Sequence, residues 1–106
     1  MAVYSMDYSD FVSAKVKYPK AVVMCSAPWC VPCKSIEKPM DELSLEYSNI
    51  FWGKIDVEKN NEMQRIFRVK SLPTFIYLEN GNTVDMVFGV PGNFKVAIRE
   101  LIGAVK

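Results

Sequence analysis

Two cysteines three residues apart, Cys30 and Cys33, lie where an apolar run ends and a helical pattern begins. The run over residues 20–26 is too uniformly apolar for a half-exposed strand, so it predicts a central strand covered on both faces. The segment after the cysteines has apolar residues at helical spacing. A strand therefore leads into a helix, with Cys30 just before that helix and Cys33 one turn along it on the same side.

This junction favours the ionised form of the first thiol. Unpaired backbone N–H groups and the helix dipole both favour negative charge at a helix N-terminus. The pKa of a thiol at such a position is lowered, and the thiolate is the reactive form. We therefore expect Cys30 to be exposed and nucleophilic, and the pair to cycle between dithiol and disulfide. Two unreactive core cysteines are the alternative. A zinc or iron–sulfur site would need more ligands, because the chain has only one other cysteine and no histidine.

Composition limits the class of protein. The 106 residues, half of them hydrophobic, suit a single domain over residues 1–106. A net charge of +1 argues against binding to nucleic acid, so Lys15, Lys17 and Lys20 are interpreted as a solvated rim. No run reaches the ~18 apolar residues of a membrane span, and residues 1–7 do not resemble a signal peptide. Two of the three cysteines belong to one motif. The cysteine pattern of a secreted protein stabilised by disulfides would look different, so we expect a reducing, cytoplasmic location.

The periodicity of the rest of the chain predicts alternating strands and helices. Strands are expected at residues 2–5, 20–26, 50–57, 74–78 and 83–88, the last two joined by an Asn80-Gly81 hairpin turn. Helices are expected after Asp7, after the cysteine pair with a kink at Pro39, after Asn60 or Asn61, and over residues 94–105. The expected apolar stripes of the first and third helices are Tyr8, Phe11 and Val12, and Met63, Ile66 and Phe67. This order predicts an α/β fold with a single central mixed five-stranded sheet flanked by four helices.

The sequence resembles the small classical members of the thioredoxin family over essentially its full length. The resemblance is carried by Ala27-Pro28-Trp29-Cys30-Val31-Pro32-Cys33-Lys34, Asp41-Glu42-Leu43, Lys54, Leu72-Pro73-Thr74, Asn80-Gly81 and Gly89. It implies the thioredoxin fold, a cis bond before Pro73 and protein-disulfide oxidoreductase activity, mainly as a reductant. It also implies no bound cofactor, because a separate thioredoxin reductase using NADPH or ferredoxin would supply the electrons.

The resemblance also implies roles for individual residues. Cys30 would attack a substrate disulfide to form a mixed disulfide, and Cys33, more buried, would attack Cys30 and release the substrate. An extended segment of the substrate protein would lie against apolar side chains and backbone groups at the rim. The expected substrate-binding residues are Trp29, Pro32, Leu72, Pro73, Thr74 and Gly89.

Several positions depart from the family pattern, among them Cys25-Ser26, which replace an aromatic pair. Val31 replaces the usual glycine between the cysteines, and Pro39 lies one position later than the usual helix proline. Met24 replaces a buried aspartate that, in the family, takes the proton of the second cysteine. The family's lysine at the position of Lys54 normally lies near that acid. Lys54 could tune the electrostatics of the dithiol, or its methylene groups could simply cover apolar surface. We expect water or a surface carboxylate to replace the acid, and resolution by Cys33 to be slower than the first attack.

Several interpretations remain open at this point. Strand alternation places Cys25 on the face opposite Met24, which favours a small core residue over a regulatory thiol. Trp52 is expected to pack in the core, with a substrate contact as the alternative. The chain, which we expect to be a monomer, could instead be a binding or regulatory subunit that does not need its dithiol, or a disulfide-forming oxidase. A measured reduction potential would separate a reductant from an oxidase.

Overall fold

Five strands form one mixed sheet in the computed structural model, which describes residues 3–104. The strands are β1 (Val3–Met6), β2 (Lys20–Ser26), β3 (Phe51–Asp56), β4 (Thr74–Glu79) and β5 (Asn82–Phe88). Their order across the sheet is β1-β3-β2-β4-β5, with β1 and β2 parallel to β3 and with β4 antiparallel to β2 and β5. The predicted mixed sheet is confirmed. The predicted ends at residues 2 and 105 lie outside the described residues.

The helices are α1 (Tyr8–Lys17), α2 (Val31–Ser35), α3 (Glu37–Glu46), α4 (Glu62–Phe67) and α5 (Phe94–Leu101). The prediction of four helices is wrong, because the helix after the cysteines is divided into α2 and α3 at Ile36. Pro39 explains where the break falls. A proline ring has no N–H and clashes with the carbonyl four residues earlier, which here belongs to Ser35, the last residue of α2.

The central strand β2 has apolar layers on both of its faces, as predicted. Val22 and Met24 pack in one core cluster, and Val23 and Cys25 pack in the other. Trp52 belongs to the same cluster as Met24, and its indole N–H donates to the carbonyl of Tyr47 at 3.0 Å. The core interpretation of Met24, Cys25 and Trp52 is therefore confirmed.

The ends of the elements follow from local sequence. Asp7 and Asp10 form a reciprocal cap at the start of α1, in which each side chain accepts the other residue's backbone N–H. Asn80 and Gly81 both have positive φ, which the tight turn between β4 and β5 requires. The predicted stripes are wrong at Val12 and Ile66, which are exposed. Val12 follows the buried Phe11 directly, so the helical rotation of about 100° turns it away from the sheet.

Candidate active site

The cysteine pair lies at the start of α2, four residues after the end of β2. Cys30 immediately precedes the helix, Cys33 lies in its first turn, and the two are joined by a disulfide with their Cα atoms 5.3 Å apart. The backbone N–H of Cys33 donates a hydrogen bond to the Cys30 sulfur at 3.2 Å. Because α2 has only five residues, this single donor, more than a long helix dipole, is what favours negative charge on Cys30.

Both cysteines are almost fully buried. The exposed fraction is 2% for Cys30 and 3% for Cys33, so the expectations of an exposed Cys30 and a more buried Cys33 are both wrong for this oxidised form. Ala27 and Leu72 pack against the pair and cover it. The two cysteines therefore have nearly the same exposure. They differ in the surface openings that they line.

Cys30 lines an opening that we call the Trp29 groove. Its volume is about 530 Å³, and its walls are Trp29, Cys30, Val31, Pro32, Val57, Glu58, Gln64, Val69, Lys70 and Leu72. The Trp29 side chain is exposed, although it is large and apolar. An aromatic ring in this position offers contact area to an incoming polypeptide next to Cys30.

The predicted substrate-binding residues divide into two groups. Trp29, Pro32 and Leu72 come together in the Trp29 groove, whereas Thr74 and Gly89 are not among its walls. Thr74 is fully buried, and its hydroxyl donates to the carbonyl of Ser71 at 2.7 Å. The Thr74 hydroxyl is therefore hydrogen-bonded to the chain segment before β4.

Pro73 and Gly89 are joined by a backbone hydrogen bond, where Pro73 precedes β4 and Gly89 follows β5. The Leu72–Pro73 peptide bond is cis, which confirms that prediction, and Pro73 is buried. The backbone N–H of Gly89 donates to the carbonyl of Pro73 at 2.7 Å. Gly89 has a φ of 76°, in the region that favours glycine. These two residues therefore fix the backbone of the segment that carries Leu72.

Cys33 lines a second opening, which we call the Lys54 cleft. Its volume is about 590 Å³, and its walls are Ser5, Met6, Asp7, Met24, Ser26, Ala27, Pro28, Cys33, Lys34, Glu37, Lys54, Asp56, Lys59 and Asn60. This cleft carries six charged side chains, whereas the groove carries two, Glu58 and Lys70. Within it, the Lys54 ammonium lies 3.3 Å from a carboxylate oxygen of Glu37.

Sequence reasoning missed Glu37. The charge of Lys54 is paired with this residue, and both side chains are partly exposed, so the pair adds little to stability. The available signal was spacing, because Glu37 follows Cys33 by four residues in a helical stretch, where such residues share a face. Its pairing with Lys54 depends on how α3 lies across β3, which spacing alone does not give.

Comparison with known proteins identifies the family. The family model described as thioredoxin matches residues 2–102, nearly the whole chain. This chain belongs to the thioredoxin family. A thioredoxin from Echinococcus granulosus is 33% identical over 105 residues, which cover 97% of this chain and 94% of that protein.

Two further comparisons show the extent of the likeness. Thioredoxin H5 of Arabidopsis thaliana is 34% identical over 68 residues, or 64% of this chain, but the alignment covers only 58% of that relative's length. The crystal structure of a thioredoxin from Trypanosoma brucei brucei superposes with a TM-score of 0.81 at 31% identity, over 95% of this chain and 91% of that one. Thioredoxin family membership and the Cys30–Cys33 disulfide together support thiol–disulfide oxidoreductase chemistry at this pair.

Residues 3–104 of this thioredoxin family member contain neither a cluster of metal ligands nor a membrane-spanning helix. No group of three or more His, Cys, Asp or Glu side chains in that range is placed to hold a metal ion. Within the same range, none of the helices has the length and apolar character needed to cross a membrane. The redox group that the described residues do contain is the Cys30–Cys33 disulfide.

Proposed function

We propose that this member of the thioredoxin family reduces disulfide bonds in other proteins by dithiol–disulfide exchange through Cys30 and Cys33. The observation that carries the proposal is a disulfide at the start of α2 whose first cysteine lines a groove together with Trp29, Pro32 and Leu72. Family membership supports the same chemistry. The substrate class is a protein segment with an accessible disulfide, because the groove has an exposed Trp29 next to Cys30 that offers contact area to a polypeptide.

The proposed reaction begins with the reduced protein. The Cys30 thiolate attacks one sulfur of the substrate disulfide, that S–S bond breaks, and the departing substrate sulfur takes a proton. The Cys33 thiol then loses its proton and attacks the Cys30 sulfur, which breaks the bond between Cys30 and the substrate. The substrate leaves as a dithiol, having gained two electrons, and the protein is left with the Cys30–Cys33 disulfide.

The site residues have distinct parts in this proposal. Cys33 N–H stabilises the Cys30 thiolate through the bond that it donates in the oxidised form. Trp29, Pro32 and Leu72 contact the substrate, whereas Pro73, Thr74 and Gly89 hold the segment that carries Leu72. The oxidised pair must then be reduced again by two electrons, which we assign to a separate thioredoxin reductase. We further propose a monomer that works in the cytoplasm, where thiols are kept reduced.

The test is reduction of insulin with dithiothreitol as the electron source. We expect the wild type to accelerate it, Cys30→Ser to be inactive, and Cys33→Ser to accumulate a covalent mixed disulfide with insulin because the resolving thiol is missing. Cys25→Ala is the matched control, since it removes the third thiol, which is buried in β2, and should keep full activity. Adducts on Cys30→Ser but none on Cys33→Ser would reverse the two roles. Undiminished biological function of a double-serine variant would instead favour a binding subunit.

A further inference from the structure

The step that releases the substrate requires Cys33 to lose a proton, given the proposed function on which this inference rests. An unperturbed thiol has a pKa of about 8.5, so at neutral pH most Cys33 would carry its proton when the mixed disulfide forms. A nearby acceptor would allow the proton to leave as the sulfur attacks. The acceptor has to be reachable from the side of the molecule that Cys33 faces.

Cys33 faces the Lys54 cleft. At about 590 Å³, this cleft is large enough for several water molecules, each of which needs about 30 Å³ of liquid volume. Met24 lines the same cleft as Cys33 and is 1% exposed, but its thioether does not accept protons at neutral pH. The proton of Cys33 must therefore pass to water or to a charged group further along the cleft.

Three carboxylates line this cleft, and two of them are held by the backbone. Asp7 accepts the backbone N–H of Asp10 at 2.8 Å, as the cap of α1. Asp56 accepts the backbone N–H groups of Glu58 and Lys59 at 2.9 and 3.4 Å, in the turn that follows β3. Protonation of either carboxylate would weaken these local bonds.

The third carboxylate is that of Glu37, at the start of α3. It is bonded to the flexible ammonium of Lys54 at 3.3 Å, which can remain nearby whether the acid is ionised or neutral. The side chain of Glu37 is 50% exposed, so it can return a proton to solvent after each cycle. The other charged groups that face this region are Asp7, Lys34, Lys54, Asp56 and Lys59 in the cleft and Asp41 beside Glu37 and Lys54.

We propose that Glu37 accepts, through water in the Lys54 cleft, the proton that Cys33 loses when it attacks the mixed disulfide, and that Lys54 positions Glu37. The electron pair of the Cys33 sulfur forms the new bond to Cys30, and the pair from the broken Cys30–substrate bond stays on the substrate sulfur. That sulfur takes a proton from solvent, and Glu37 returns its own proton to solvent. The cysteine pair is oxidised and the substrate is reduced, with no further reactant.

The experiment follows the mixed disulfide directly. The reduced protein is mixed with a synthetic peptide that contains one disulfide, the reaction is stopped with acid at short intervals, and the adduct is quantified by mass spectrometry. The variants are Glu37→Gln, Glu37→Asp and Lys54→Met. The matched control is Glu42→Gln, because Glu42 lies on the same helix, is paired with Lys95 at 2.9 Å and is equally exposed, but does not line the cleft.

We expect Glu37→Gln to slow decay of the adduct ~10²-fold without slowing its formation, the lower end of what a general base contributes. Decay in the wild type should be nearly independent of pH from about 6 to 8, whereas in Glu37→Gln it should rise about tenfold per pH unit because thiolate must form first. Glu37→Asp should keep the flat profile, and Lys54→Met should show an intermediate rate.

The proposal is wrong if Glu37→Gln keeps the wild-type decay rate and pH profile, or if Glu42→Gln slows decay equally. A purely structural effect of Glu37→Gln would change the rate at every pH by the same factor, and that result would also overturn it. Failure of the wild type both to form an adduct and to reduce the peptide disulfide would reject the proposed function instead, so the two failures are distinguishable.

Discussion

Cys30 and Cys33 have almost the same exposure, yet their residues line different openings. Cys30 lines the Trp29 groove, which carries two charged side chains, and Cys33 lines the Lys54 cleft, which carries six. This arrangement separates the contact with substrate from the route of the proton. Met24 lies on the cleft side and fills a core position with an apolar side chain, so its replacement tests the cost of placing an acid there.

The residue-scale prediction concerns Met24→Asp. A buried carboxylate is desolvated, so its folded-state pKa is raised, and each unit of that shift costs about 1.4 kcal/mol of stability once pH exceeds both pKa values. We expect the free energy of unfolding to fall as pH rises from the unfolded pKa of about 4 to the raised folded pKa. The aspartate should also speed decay of the mixed disulfide and restore it in a Glu37→Gln background. Urea unfolding across pH and the adduct kinetics measure both effects.

Met24→Leu is the control for this substitution, because a volume-conserving apolar exchange usually costs less than about 1.5 kcal/mol and adds no acceptor. It should leave the decay of the adduct unchanged at every pH. If Met24→Asp resolved the mixed disulfide no faster than Met24→Leu, proton transfer would not limit that step.

At the scale of elements, α3 is joined to α5 by two ion pairs one helical turn apart. Glu42 lies 2.9 Å from Lys95, and Glu46 lies 2.9 Å from Arg99. The hydrogen bond from Lys95 lowers the pKa of Glu42, and the hydrogen bond from Arg99 lowers the pKa of Glu46. These pairs tie the helix that follows the active site to the last helix of the described chain.

We expect the loss of these ion pairs to lower the stability of the protein in acid. Because the folded-state pKa values are lowered, the stabilisation is fully present above the unfolded pKa of about 4.3 and is lost as pH falls through the folded values. A Glu42→Gln, Glu46→Gln double variant should show a flatter loss of stability between about pH 5 and 2. Thermal unfolding at low salt measures this, and added salt should reduce the difference because both carboxylates are half exposed. Equal pH slopes would show that other carboxylates govern the acid transition.

At the scale of the whole molecule, most of the architecture could be predicted because its causes are local. The apolar run of β2, the cap at Asp7 and the turn at Asn80-Gly81 each specify their element from a few adjacent residues. Other features depend on segments that are distant in the chain. Leu72 packs against the cysteine pair, and the contact between Glu37 and Lys54 depends on where α3 lies relative to β3. The sequence predicts a kink at Pro39, but the helix divides at Ile36, because the proline ring clashes with the carbonyl of Ser35, four residues earlier.

The third cysteine gives the molecule an internal reporter of unfolding. Cys25 lies in the central strand with 0% exposure, and burial raises the pKa of its thiol to about 12, so it stays protonated and shielded from reagents. In the oxidised protein Cys30 and Cys33 are joined, so Cys25 is the remaining thiol. Its alkylation by iodoacetamide should therefore require the centre of the sheet to open and should report the global opening free energy. Labelling much faster than global unfolding, measured in parallel by urea denaturation, would reveal a local opening of β2.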